Sequence, residues 1–289
     1  SFRPRRQGRS YCCRIFRNST VMTTPLAQLF KKTQSENRAA LIAYIPAGYP
    51  TQEGCKAVID AFADAGVDAI EIGFPYSDPV MDGPTIQEAA NTSLNAGTGS
   101  KEVFEALAHA TSRGIPSVVM TYWNPVEKYG VQEFAASIST KTGSGVITPD
   151  LPVDEAQPWK AACAESDINS IFVVAPSTTD QRLEKVTAQC SGFVYAASLM
   201  GVTGARTGIS SGAKDLVDRI RKVTDTPVAV GLGVSTREHA KEVAAYADGV
   251  IVGSAFINAL SGADSLDSGI KAVRALVEQL ALGVREGRG

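Results

Sequence analysis

Residues 69–84 read A-I-E-I-G-F-P-Y-S-D-P-V-M-D-G-P and place three carboxylates, Glu71, Asp78 and Asp82, at one strand end and in the loop behind it. Glu71 falls in the middle of a short apolar run, where an ionised carboxylate is costly unless a partner or a proton satisfies it. Pro75, Pro79 and Pro84 stiffen the chain that follows, and Gly73 and Gly83 permit tight turns, so Asp78 and Asp82 belong to a shaped loop. The purely structural alternative is a strand Glu paired with a buried cation and two turn-forming aspartates. The chemical reading is an acid/base pair, Glu71 with Asp82, because two carboxyls in different environments hold different protonation states at one pH.

Other chemistry finds less material. The chain's two histidines, His109 and His239, fall on helix-period segments away from strand ends and read as packing or surface residues. Cys12, Cys13, Cys55, Cys163 and Cys190 are odd in number and lack C-x-x-C spacing, which indicates neither a disulfide framework nor a zinc site. No metal is expected, and a reducing compartment fits best. No lysine lies in or directly after an expected strand; Lys128, in the segment after the third, comes nearest, so a Schiff-base lysine has little support. Carboxylates, tyrosines and backbone amides remain.

The elements that must position these groups are visible as a rhythm. From Leu41 onward, short runs rich in Val and Ile alternate with longer helix-period segments, the pattern of repeated βα units on a parallel sheet. Strands are expected at 41–46, 69–73, 117–122, 145–148, 170–175, 193–198, 228–231 and 249–252. Helices fit between them, for example at 51–65, 154–165, 179–188, 213–223 and 236–245, with 265–282 closing the chain. Eight such units in one chain match a (β/α)8 TIM barrel better than a doubly wound sheet, which would carry a G-x-G-x-x-G turn after its first strand. No low-complexity linker divides the chain, so residues 23–289 are expected to form one domain.

In such a barrel the active site lies at the C-terminal strand ends, often with a phosphate site after strands 7 and 8. G-L-G-V-S at 231–235 and Gly253-Ser254 stand there, each just ahead of a helical segment whose free N–H groups suit an anion, and G-V-T-G at 201–204 follows strand 6. Three glycine-bearing segments at consecutive strand ends favour phosphate over ordinary turns.

A net charge of −2 gives no electrostatic case for nucleic acid or an anionic membrane surface, and no apolar run approaches bilayer-spanning length. Residues 1–22 differ from the rest: Arg3, Arg5, Arg6, Arg9, Arg14 and Arg17 interleave with serines and aromatics, and no Asp or Glu precedes Glu36. This composition is that of an organelle transit peptide without the apolar stretch of a secretory signal; a disordered basic tail is the alternative. The expected location is a plastid, with mitochondrion or cytoplasm as alternatives.

E-I-G-F-P-Y-S-D-P-V-M-D-G-P-T-I-Q, T-Y-W-N-P-V-E-K-Y-G, P-D-L-P, G-V-T-G, G-L-G-V-S and I-V-G-S, in that order from about Leu26 to the end, resemble the tryptophan synthase α subunit. The resemblance implies a barrel lyase that cleaves indole-3-glycerol phosphate to indole and glyceraldehyde 3-phosphate with no cofactor of its own. It assigns Glu71 the proton transfers, Asp82 the indole N–H, Tyr195 and Tyr44 places near the substrate, and Gly204, Gly233, Gly253 and Ser254 the phosphate; Tyr44 stands where many members carry Phe. Thr203 matches a lid threonine, whereas Leu199 departs from the bacterial pattern, which has Arg there. The implied partner is a β subunit that carries pyridoxal phosphate in an α2β2 complex, contacted through Ser77, Asp78, Pro79, Asn124 and Pro125. Plant relatives that release indole without a partner, and a non-catalytic regulatory subunit, are the alternatives.

Overall fold

The computed structural model describes residues 24–198, 211–231 and 233–288. The expected leader, 1–22, the expected lid residue Thr203 with Leu199, and the expected phosphate residue Gly204 lie outside the described residues. Eight strands, β1 (Ala40–Pro46), β2 (Ala69–Gly73), β3 (Ser117–Met120), β4 (Gly145–Thr148), β5 (Asn169–Val174), β6 (Val194–Ala197), β7 (Val228–Gly231) and β8 (Gly249–Val252), close into a barrel in sequence order. Every neighbouring pair is parallel, including β8 with β1. The expected (β/α)8 barrel is therefore the observed fold.

Around it run α1 (Pro25–Ser35), α2 (Gln52–Ala65), α3 (Pro84–Asn95), α4 (Ser100–Ser112), α5 (Trp123–Tyr129), α6 (Val131–Thr140), α7 (Gln157–Glu165), α8 (Asp180–Thr187), α9 (Ser211–Arg221), α10 (Arg237–Ala244), α11 (Ser254–Ser261) and α12 (Leu266–Glu286). The segment after the third strand that holds Asn124, Pro125 and Lys128 is helical, as α5. Pro125 sits in the first turn of α5, where a missing N–H breaks no intrahelical bond. Pro84 likewise opens α3 as its first residue rather than stiffening the preceding loop.

Strand side chains divide by parity, since successive residues point to opposite faces. Leu41, Ala43 and Ile45 of β1, with Ile70 and Ile72 of β2, face the helices. Ala40, Ile42, Ala69, Val118, Ile147, Ile171, Phe193, Ala229 and Ile251 fill the barrel interior. Both faces are buried, which is why the strands read as continuous apolar runs.

Helix α1 closes the N-terminal end of the barrel. The Thr24 hydroxyl accepts from Ala27 N (3.2 Å), Pro25 takes the first helical position, and Leu26, Leu29 and Phe30 join the interior cluster. The Phe30 ring packs on Phe193 with centroids 5.9 Å apart. At the same end, both Asp68 carboxylate oxygens accept from the buried Arg38 guanidinium (2.7 and 2.8 Å), and Asp68 also accepts from Leu41 N (2.9 Å). With one end plugged, space for a ligand is left at the other.

Candidate active site

The layer above the interior core follows from counting two residues further along each strand. Beyond Ile42, Ala69, Val118, Ile171 and Phe193 come Tyr44, Glu71, Met120, Val173 and Tyr195; beyond Ala229 and Ile251 come Gly231 and Gly253. Five side chains and two glycines therefore share one level at the C-terminal mouth. All seven line a cavity of about 900 Å³, together with Asp82, Gly233 and Ser254. The glycines leave unfilled the volume that side chains would occupy.

Glu71 is 1% exposed, and its Oε2 has no hydrogen-bond partner among the described residues. Among the described residues no Lys, Arg or His pairs with this carboxyl, which counts against the structural alternative of a buried cation. Burial, with a smaller push from the Asp82 charge, raises its pKa to about 8. Glu71 thus holds a proton at neutral pH. In the β1–β2 register it lies beside Tyr44, so both side chains point into the mouth.

Asp82 reaches the cavity from the loop after β2. Burial raises its pKa, and the Tyr122 phenol opposes this by donating to Oδ2 at 3.2 Å. The backbone is held as well, since Gln87 Nε2 donates to the Asp82 carbonyl (2.7 Å). Burial keeps the Tyr44 and Tyr195 phenols well above their ordinary range, and the nearby carboxylates add to this. Both phenols stay neutral and can serve as donors.

The glycines at the mouth are notches for these rings. A Cβ at Gly231 would meet Tyr195 Oη at 2.6 Å, one at Gly253 would meet Tyr44 Cδ1 at 3.0 Å, and one at Gly73 would collide with the Tyr44 hydroxyl. Gly253 is also the N-cap of α11 and offers no side-chain cap, and it lines the cavity beside Ser254, the first residue of that helix. Gly233 has φ of +77°, a left-handed conformation that glycine adopts without strain. Backbone donors at this wall suit a phosphate.

The structure thus brings together Tyr44, Glu71, Asp82, Tyr195, Gly233, Gly253 and Ser254. Ser77, Asp78, Pro79, Asn124 and Pro125 do not line the cavity. Ser77, Asp78 and Asn124 are exposed, and the Ser77 hydroxyl donates to Asp78 (2.5 Å). Val80, 75% exposed, and Met81, 42% exposed, continue this outer surface and also reach the cavity rim. His109 pairs with Asp60 on the barrel's outside and Lys128 is exposed on α5, so neither takes part.

Sequence reasoning missed Met120, Val173 and Ile251, the apolar floor, although the alternation of each strand contained them. It also missed Tyr122, which becomes a site residue only because the loop folds back on it. A second cavity of about 730 Å³ opens at the plugged end. There Arg38 is paired with Asp68, and Arg221 and Arg288 with Asp248, so its guanidinium groups are already satisfied.

Among the described residues, no three His, Cys, Asp or Glu side chains converge as a metal site, and no helix is long and apolar enough to cross a membrane. A barrel mouth with one protonated and one hydrogen-bonded carboxyl, beside amides suited to phosphate, defines a barrel enzyme of acid/base type.

Known proteins narrow this class. The family model for the tryptophan synthase alpha chain matches residues 30–285. A tryptophan synthase alpha chain of Salinispora arenicola is 52% identical over 89% of this chain and 96% of its own, and one of Streptomyces avermitilis is 49% identical over 91% and 95%. Among solved structures, Mycobacterium tuberculosis tryptophan synthase in its open form superposes with a TM-score of 0.84 at 45% identity, over 91% of this chain and 99% of the other. The Pyrococcus furiosus α2β2 complex gives 0.79 at 36% identity over 84% and 98%. The chain belongs to the tryptophan synthase alpha chain family.

Proposed function

We propose that the chain is the α subunit of tryptophan synthase and cleaves indole-3-glycerol phosphate to indole and glyceraldehyde 3-phosphate. The observation that carries this reading is Glu71: a buried carboxyl with no counter-ion among the described residues, protonated at neutral pH, in one cavity with Asp82. Cleavage of the bond between indole C3 and the glycerol chain needs C3 protonated first. The Glu71 carboxylic acid delivers that proton, and Asp82 accepts a hydrogen bond from the indole N–H as positive charge grows on the ring. The C–C bond then breaks, its electron pair returning to the indole ring, while the adjacent glycerol hydroxyl gives its proton to the Glu71 carboxylate and becomes the aldehyde. Tyr44 and Tyr195 flank the reacting centre, Met120 and Val173 receive the ring, and Gly233, Gly253 and Ser254 hold the phosphate. Thr203 and Gly204 complete the lid and cradle on the family pattern.

Pyridoxal phosphate belongs to the partner β subunit and has no role in this chain. The α2β2 assembly named for the Pyrococcus furiosus relative supports a β subunit as partner, contacted at Ser77, Asp78, Pro79, Asn124 and Pro125. The solvent exposure of Ser77, Asp78 and Asn124 supports that placement. The free-standing lyase alternative rests on relatives of this fold that release indole without a partner, and Leu199, where the bacterial pattern has Arg, bears on the coupling to a β subunit. The non-catalytic reading is opposed by the presence of both Glu71 and Asp82.

Organelle targeting by residues 1–22 rests on composition alone. The relatives named above are bacterial and lend no support to a plastid; the cytoplasm is compatible with them. The mass of the protein recovered from its native source decides: targeting predicts a start near residues 21–26, and a native protein that retains residues 1–20 contradicts it.

Indole release from indole-3-glycerol phosphate, measured with and without saturating β subunit, tests the function. Release that rises with the β subunit supports the α-subunit reading. Equal rates would replace it with the free-standing lyase.

A further inference from the structure

Asp82 sits in a loop with no strand or helix of its own, yet its carboxylate has a fixed place. Tyr122 donates to Asp82 Oδ2 at 3.2 Å, and Met81 N donates to the same phenolic oxygen at 3.1 Å. One phenol, buried to 4% exposure, therefore grips two consecutive loop residues. Its ring packs on Tyr76 at a centroid distance of 5.2 Å and an interplanar angle of 31°. Tyr76 comes from the start of the same loop, so the two rings fasten its first half to its last.

The Tyr76 hydroxyl in turn accepts from Asn124 Nδ2 at 3.3 Å. Asn124 is exposed in the first turn of α5, and that helix is fixed at its N-terminus because Asp150 accepts from Trp123 N at 2.9 and 3.1 Å. The contacts Asn124–Tyr76–Tyr122–Asp82 thus run unbroken from the outer surface into the cavity. Asp150 gives the outer end a rigid anchor. At the inner end, a small swing of the Tyr122 side chain about its Cα–Cβ bond displaces its hydroxyl from Asp82.

We propose that Tyr76 is a positioning residue: its ring, oriented by Asn124, fixes the Tyr122 phenol on Asp82, and occupation of Asn124 by the partner is transmitted to Asp82 through this stack. The inference rests on the α-subunit reading. Asp82 acts as the charge on the indole ring develops, so its misplacement lowers turnover more than it weakens substrate binding. Removal of one neutral hydrogen bond from the stack predicts a fall in kcat of about twofold to tenfold.

The test uses the full chain with its β subunit, and kcat and KM for indole release from indole-3-glycerol phosphate. Tyr76→Phe and Asn124→Ala should lower kcat by the same factor, leave KM unchanged and reduce the stimulation by the β subunit. Tyr76→Leu, which removes the ring, should lower kcat further, and combined with Tyr122→Phe should do no more than Tyr122→Phe alone, because both act through one hydroxyl. A purely structural role would give additive losses or a raised KM. Wild-type kcat in Tyr76→Phe and Asn124→Ala, or full additivity in the double variant, would overturn the inference and leave the α-subunit reading intact. A wild-type chain that releases no indole with or without β subunit would overturn that reading, and this inference with it.

Discussion

Glu71→Gln should change stability in a way that depends on pH, and the sign follows from the direction of the shift. In the unfolded chain the carboxyl titrates near its ordinary 4.5; in the folded chain burial holds the proton to about pH 8. Below the lower value both states are protonated and the buried group carries no penalty. As pH rises through the window, the unfolded state releases a proton that the folded state keeps, so stability falls until the folded pKa is passed. Each unit corresponds to about 1.4 kcal/mol, so the loss is about 3 kcal/mol at pH 7 and about 5 kcal/mol above pH 8. Gln keeps the shape and cannot ionise. Its unpaired amide costs about 1–3 kcal/mol, but that cost does not vary with pH. The variant's stability minus that of wild type should therefore climb by about 1.4 kcal/mol per unit from about pH 5 to 8 and then level off. Other titrating groups largely cancel in the difference. Urea denaturation of both proteins across this range measures it, and a difference that stays flat would refute the claim that burial raises the Glu71 pKa.

The glycine notches predict local crowding: Gly253→Ala and Gly231→Ala push against Tyr44 and Tyr195, and each should cost about 1–3 kcal/mol and raise KM, whereas Gly83→Ala, whose Cβ meets nothing within 4 Å, should move KM little. Melting curves and substrate titration check both effects. Phe30→Ala empties space in the plug and should cost about 3–5 kcal/mol in denaturant titrations, with kcat per folded molecule unchanged because the plug lies at the end opposite the site. Pro79→Ala should weaken stimulation by the β subunit more than it weakens basal indole release, as steady-state rates with increasing β subunit would show.

How much the sequence discloses depends on whether the signal is local. The strands were legible because each is buried on both faces and bounded by turns; β2, β4, β7 and β8 begin and end at the expected residues. Glu71 was legible as a charge out of place. Tyr122 was not, because it reads as a strand residue in 117–122; it leaves β3 at Met120 and becomes the N-cap of α5. Helix α5 was hidden by Asn124-Pro125, a turn-like pair, while the carboxylate that satisfies its first amide comes from Asp150, 27 residues further on. Gly253, and the G-L-G-V-S segment that begins with Gly231, were read as parts of a phosphate site. The second role of these two glycines, as notches for Tyr195 and Tyr44, follows from packing between neighbouring strands that no single stretch of sequence shows.

The central claim is that Glu71 moves the proton that allows the C–C bond to break. The rate of indole release from indole-3-glycerol phosphate by Glu71→Gln, measured at saturating substrate and with β subunit present, tests it most directly, provided circular dichroism shows a folded barrel. General acid–base groups contribute about 10²–10⁴-fold, so a loss of at least about 10²-fold in kcat is predicted. A folded variant that kept more than about a tenth of the wild-type rate would contradict the assignment.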